Sequence, residues 1–205
     1  MTPLNVLILG ASYGSLLATK ISMAGHNATM VCLPVEAELF NNDGAIIRTP
    51  VKGRDGLVEI RSKTLAGKIA ACAPADADPG NFDLAVLAMQ EPQYSAPEVN
   101  ALLQKIAKSG VPTMSIMNMP PLPFLRRVDA LAEAPLEICY DDAKVWADFE
   151  PGLMSLCSPD PQAFRPPEEV NNILHVGLPT NFKAAVFADP VNNAMLRQLE
   201  SDIAA

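Results

Sequence analysis

Six residues near the start of the chain, Gly10-Ala11-Ser12-Tyr13-Gly14-Ser15, have the types and the placement to bind a phosphate. They lie between a continuous apolar run, Leu4 to Leu9, and a stretch in which Leu16, Leu17, Ala18, Ile21 and Ala24 recur with helical spacing. A strand, a short turn of small residues and a helix N-terminus together make an anion site, because the first-turn N–H groups have no partner inside the helix. The turn is close to the dinucleotide-binding pattern G-x-G-x-x-G without copying it. Counted strictly from Gly10, Ser12 and Ser15 stand where the second and third glycines belong. Counted with a one-residue deletion, the turn has lost its middle glycine and Gly14 takes the last place. The plain alternative is a strand–helix turn that binds nothing.

A second set of polar residues follows later apolar runs. Gln90, Glu91, Gln93 and Tyr94 come after Phe82 to Met89, and Asn118 comes after Val111 to Met117. These are the carboxyl ends of expected strands, where open α/β sheets bind ligands. In a dinucleotide domain Gln90, Gln93 and Asn118 would face the nicotinamide, and Asn118 is also a candidate substrate contact. Their plain alternatives are a loop amide at Gln90 and a helix cap at Asn118. The end of the second strand should carry an Asp or Glu for a ribose 2′-hydroxyl, or an Arg for a 2′-phosphate. The chain has Leu33-Pro34-Val35-Glu36 instead. Glu36 either reaches the ribose or is a first-turn acid favoured by the helix dipole. NAD and NADP both stay open, and no residue stands out as a general acid.

These residues need elements to hold them. The run Leu4 to Leu9 suits a strand buried on both faces, and Gly25 is well placed to cap the helix that follows. Ala28 to Leu33 reads as a second strand, and a short helix runs through Glu38 to Asn42. Ala45 to Thr49 and Leu57 to Arg61, joined by a polar turn, read as a β-hairpin. Ile69 to Ala73, Phe82 to Met89 and Val111 to Met117 are further strands. A helix is expected from Ala96 to Ser109, closed by Gly110, and another carries Arg126 and Arg127 to about Glu133. From Leu136 short strands are expected at Leu136 to Tyr140, Ala143 to Ala147, Leu153 to Cys157, Ile173 to Leu178 and Phe182 to Phe187, with a proline-rich loop from Pro159 to Glu169. Pro190 onward is an amphipathic helix. The expected fold is α/β: a doubly wound, mostly parallel Rossmann-like sheet with an antiparallel extension. Residues 1–135 would form the dinucleotide-binding core, and 136–205 the extension and terminal helix of the same domain.

Composition narrows the function classes. The 205 residues are 49% hydrophobic but only 5% aromatic, which calls for an aliphatic core of the α/β kind. A net charge of −8 argues against nucleic acid and anionic membrane surfaces as partners. There is no basic n-region, and the first apolar run is too short to span a bilayer, so a cytoplasmic location is expected. Cys32, Cys72, Cys139 and Cys157 are widely spaced and read as single buried thiols in strands. His26 reads as a solvated turn residue and His175 as a satisfied core histidine, so no metal site is expected. Lys183 reads as a solvated strand residue.

The order of these pieces resembles the N-terminal domain of the ketopantoate reductase family. The resemblance rests on NVLILGASYGS, the AGH that ends the first helix, the hairpin from Gly44 to Ile60 with its Gly53, FDLAVLAMQEPQ, SIMN and ILHVGL. It spans nearly the whole chain, each motif being loose. It implies a domain that binds NADP or NAD, in a protein that passes hydride to a 2-keto acid or similar carbonyl substrate. A second, helical domain supplies the catalytic lysine in that family. Opine and glycerol-3-phosphate dehydrogenases share the same kind of first domain. The departures are specific. Gln90 stands where the family has Lys, Met119 follows Asn118 where the family has Gly, and no Arg follows the second strand. The chain ends at Ala205, about where the helical domain would begin, so that domain, or a homodimer partner, is expected to lie outside it.

Three hypotheses follow. The first is the cofactor half of an NAD(P)-dependent oxidoreductase, with proton donation supplied from elsewhere. The second is a non-catalytic dinucleotide-binding or regulatory domain that has kept the fold and lost the chemistry. The third is a domain that binds no nucleotide and works through dimer contacts.

Overall fold

The computed structural model describes residues 2–158, 163–177 and 181–204. Its first elements are β1 (Asn5–Leu9), α1 (Ala11–Met23), β2 (Asn27–Val31), α2 (Pro34–Asp43), β3 (Ile46–Pro50), β4 (Leu57–Arg61) and β5 (Ile69–Cys72). Then come β6 (Leu84–Leu87), α3 (Pro97–Ser109), β7 (Thr113–Ser115) and the four-residue α4 (Leu122–Leu125). The chain closes with β8 (Met154–Leu156), β9 (Ala163–Phe164), β10 (Ile173–Val176) and α5 (Pro190–Ala204).

Six strands form one sheet in the order β5-β2-β1-β6-β7-β8. Every pairing in it is parallel. The alternation of side chains explains why both faces are covered. Val6 and Ile8 of β1, with Leu84 and Val86 of β6, point to one face, where Ile21, Phe40, Leu196 and Leu199 from α1, α2 and α5 meet them. Leu7, Leu9, Ala85 and Leu87 point to the other, against Leu102, Leu103 and Ile106 of α3 and the aromatic group Tyr94, Tyr140, Trp146 and Phe149. A strand buried on both sides must be apolar along its buried length, and β1 is from Val6 to Leu9. This is the doubly wound α/β arrangement, and strand order reverses between β1 and β6.

A second sheet, in the order β4-β3-β10-β9, lies beside the first. β3 pairs antiparallel with β4 and parallel with β10, and β10 pairs antiparallel with β9. Its Ile47, Leu174 and Val176 pack on Leu16 of α1. Asn172, just before β10, ties that strand to the start of β3, its Nδ2 donating to the Gly44 carbonyl at 2.8 Å.

Element termini follow local rules where the sequence states them. α1 ends at Ala24 and Gly25, the latter at φ +86°, and the His26 N–H returns to the Ile21 carbonyl. α2 begins at Pro34 and is longer than the spacing predicts. Gly110 closes α3 in the left-handed conformation.

Beyond residue 118 several expected elements differ. The helix expected to carry Arg126 and Arg127 stops at Leu125, because Arg126 turns back to donate to the carbonyls of Leu131, Ala132 and Ala134. Leu136–Cys139 and Ala143–Trp146 are 3₁₀ turns rather than strands. β8 joins the main sheet in parallel, so the antiparallel pairings lie in the second sheet and in a single bridge between Cys157 and Ala184. That bridge is all that forms of a strand at Phe182 to Phe187. Residues 159–162 of the expected loop and Leu178 of the expected strand lie outside the described residues.

His26 is not solvated. It is 4% exposed, accepts from the Leu4 N–H at Nδ1 and meets Asp202 of α5 at Nε2, 3.1 Å away. His175 is half-buried beside Arg48 and stacks edge-on with Phe164. Lys183 is exposed and pairs with Glu200, outside any strand. Cys139 is exposed in a turn, unlike the buried thiol expected. No described helix is long and apolar enough to cross a membrane.

Candidate functional site

The site grows from one close approach. Gly10, at φ +108°, turns the chain out of β1 next to the end of β6, and a Cβ built on it would lie 2.8 Å from the Ala88 carbonyl oxygen. Only glycine fits that conformation and that space. Four residues on, a Cβ on Gly14 would lie 2.6 Å from Ile8 Cγ2, so Gly14 is what lets α1 pack down on β1. That is the packing role of the last glycine in the dinucleotide pattern, taken one residue early. Ser15, where a strict count puts that glycine, is buried and donates from Oγ to the Ser12 carbonyl.

α1 starts at Ala11 directly after this turn, with no side-chain cap and no acid in its first turn. The N–H groups of Ala11, Ser12 and Tyr13 therefore have no intrahelical acceptor. Gly10, Ala11, Ser12 and Tyr13 line a cleft of about 820 Å³ at the carboxyl ends of β1, β2 and β6. Val31, Cys32, Leu33 and Pro34 form a second side of it, Ala88, Met89 and Gln93 a third, and Pro74 closes one end. Strand order reverses here, where open α/β sheets take their ligands.

The sequence-predicted residues divide. Gln93 lines the cleft, its Oε1 accepting from the Gln90 N–H at 2.8 Å. Gln90 and Asn118 are exposed and do not line it. Asn118 does not cap α4, whose N-cap is Pro121. Met89, which the sequence did not single out, stands on the cleft wall, and its N–H donates to Tyr94 Oη. Tyr94 is fully buried, which pushes its phenol upward in pKa.

Glu36 also lines the cleft, and there it meets a residue no sequence pattern pointed to. Arg165, just past β9, crosses from the second sheet and donates from Nη1 to Glu36 Oε1. Its Nη2 is buried and has no hydrogen-bond partner among the described residues. Cys32 lies against both: burial, with Glu36 adding to it and Arg165 opposing, pushes its thiol up to about 12. The ionisable side chains on the cleft wall are thus Tyr13, Cys32, Glu36, Glu98 and Arg165. No trio of His, Cys, Asp or Glu among the described residues has the geometry to hold a metal ion.

No protein-family model and no curated protein sequence matches the chain. Solved structures do. A candidate ketopantoate reductase from Ralstonia solanacearum superimposes with a TM-score of 0.70 at 16% identity, over 99% of this chain and 59% of its own. The 2-dehydropantoate 2-reductase from Methylococcus capsulatus gives 0.54 at 13% identity, over 96% and 55%. An octopine dehydrogenase in complex with NADH and agmatine gives 0.56 at 15% identity, over 96% and 46%. The chain thus has the Rossmann-type fold that the resemblance to ketopantoate reductases and opine dehydrogenases implies. It spans 46–59% of the length of these three proteins.

Proposed function

We propose that this chain is the cofactor-binding part of an NAD(P)-dependent oxidoreductase acting on a 2-keto acid or a similar small carbonyl substrate. The observation that carries this reading is the uncapped N-terminus of α1 opening into the cleft at the strand-order reversal. The N–H groups of Ala11, Ser12 and Tyr13 would hold the pyrophosphate, with the helix dipole favouring its charge. Leu33 and Pro74 are apolar walls for the adenine. Met89 and Gln93 flank the end of β6, where they would orient the nicotinamide and keep water from one side of it. The nicotinamide, when bound, supplies the hydride. The residues fit such a group: Gly10 and Gly14 clear the turn, and Arg165 holds out a buried donor.

Among its described residues the cleft wall carries no lysine or histidine, and this reading assigns the proton donor for the forming alkoxide to a part outside the cleft, as the resemblance implies. A helical domain or a second copy of the chain would supply it. The same observation favours a second reading, a dinucleotide-binding domain without catalysis.

Calorimetric titration with NADH and with NADPH tests both readings, and Ser12→Asp sharpens the test. Ser12 is exposed in the first turn of α1. A carboxylate there should leave the helix as stable or raise its stability by about 0.3–1 kcal/mol, while repelling the pyrophosphate. Binding by the unaltered chain and its loss in a folded Ser12→Asp variant is the expected result. No binding of either cofactor at millimolar concentration would leave the fold without its ligand.

A further inference from the structure

Resting on that reading, we infer that Glu36 and Arg165 together read the adenosine ribose and select NAD(H) over NADP(H). In dinucleotide folds the 2′ position is read at the end of the second strand. Here that end is Cys32 and Leu33, neither of which can recognise a diol or a phosphate. Glu36 and Arg165 line the same cleft as Cys32 and Leu33, so the pair lies at this strand end. The acid comes from the first turn of α2, and the base crosses from the other sheet.

The chemistry of the pair favours a free 2′-hydroxyl. The Glu36 side chain is 14% exposed and that of Arg165 22%, so each charge depends on the other for compensation. The arginine takes Oε1 and holds the carboxylate in one place. A carboxylate has about four lone-pair sites, so Glu36 keeps capacity to accept from the ribose hydroxyls. The Arg165 Nη2, buried and unpartnered among the described residues, can donate back to a hydroxyl oxygen. A hydroxyl both donates and accepts, and so satisfies both groups. A 2′-phosphate has only acceptors to offer, and its charge would press against Glu36 while the neutralising guanidinium is already engaged.

Titration calorimetry of the full chain, with NADH and NADPH as the probes, tests this directly. NADH should bind roughly tenfold or more tightly than NADPH, since like charges across an interface act chiefly against the wrong partner. Glu36→Gln keeps the shape, removes the repulsion and frees Arg165; the preference should collapse or invert. Arg165→Lys should weaken NADH while leaving NADPH no better than before. NADPH binding as tightly as NADH to the unaltered chain overturns the inference and leaves the dinucleotide reading standing. A Glu36→Gln variant that melts like the parent and keeps the NADH preference also overturns it. Binding of neither cofactor removes both the inference and the reading beneath it.

Discussion

The two ends of this chain are held together by different physics. From Asn5 to Val31 the structure is a parallel strand pair with a helix packed across it, and the strand cores, Val6 to Leu9 with Ala28, Met30 and Val31, are apolar and buried. Among the described residues from Leu122 to Phe187 regular elements are few and short. There the backbone is held by side chains: Arg126 on three carbonyls, Arg127 on those of Met154 and Val186, and Asn193 on both backbone groups of Phe187. Arg197 adds the carbonyls of Ala184 and Ala185. The first region is specified by steric fit, and the second by long polar side chains standing in for a ladder. The candidate site draws on both, taking its glycine turn from the first and Arg165 from the second.

The sharpest way to break this contrast is to disturb the steric fit against the first region, where Gly67 packs on Ser22 and His26. A Cβ on Gly67 would fall 1.8 Å from the His26 carbonyl oxygen, and Gly67 exchanges hydrogen bonds with Ser22 through its N–H and its carbonyl. Gly67→Ala should cost about 3 kcal/mol or more, at the upper end for overpacking, because the opposing atom is backbone and cannot swing aside. Denaturant unfolding would show it as a lower midpoint with all probes moving together. A loss under about 1 kcal/mol would mean that fit matters no more here than in the second region.

The second region should respond less, and locally. Arg127→Ala leaves the Met154 and Val186 carbonyls without their donor, a loss of about 1–3 kcal/mol if neither finds water. Hydrogen exchange should quicken around β8 and the segment before α5 while β1 and β2 keep their protection. Uniform loss across the main sheet would make the arginine a global support and erase the distinction.

The same contrast explains what could be read from the sequence. A doubly buried strand is apolar along its buried length and a capped helix ends in glycine, so β1, β6, α3, the end of α1 and the hairpin of β3 and β4 are legible within a residue or two, whereas α1 starts at Ala11, five residues before the helical spacing begins at Leu16. The glycine turn is legible for the same reason, since Gly10 and Gly14 sit where a Cβ has no room. The segment from Leu136 to Trp146 was misread as strands, because Leu136, Ile138 and Tyr140 alternate with polar residues as a half-buried strand does. What decides there is the Tyr94–Trp146 contact, with ring centroids 5.5 Å apart, and the Arg126–Glu137 pair, neither visible in any short window. Arg165 escaped for a related reason. It lies 129 positions from Glu36, and only the pairing of β9 with β10 and of β10 with β3 brings it over α2. Its one local mark is a lone arginine among prolines, which has no period to detect.

The smallest effect concerns two cysteines, one from each region. Cys32, at the end of β2, is 6% exposed, and burial raises its thiol pKa to about 12. Cys139 sits exposed in the turn Leu136–Cys139. The thiolate is the reacting form, so a mild alkylating agent near pH 8 should modify Cys139 and leave Cys32 untouched in the folded protein. An unfolded thiol ionises near pH 8.5, well below the folded value for Cys32. The stability attached to Cys32 is therefore fully present below about pH 8.5 and is lost progressively as pH rises toward 12. Alkylation of Cys32 should begin only in that alkaline window, or when denaturant opens the strand end. Equal labelling of both thiols at neutral pH would mean that the end of β2 opens as freely as the turns of the second region. The ribose site proposed at Glu36 and Arg165 would then lack the fixed wall it needs.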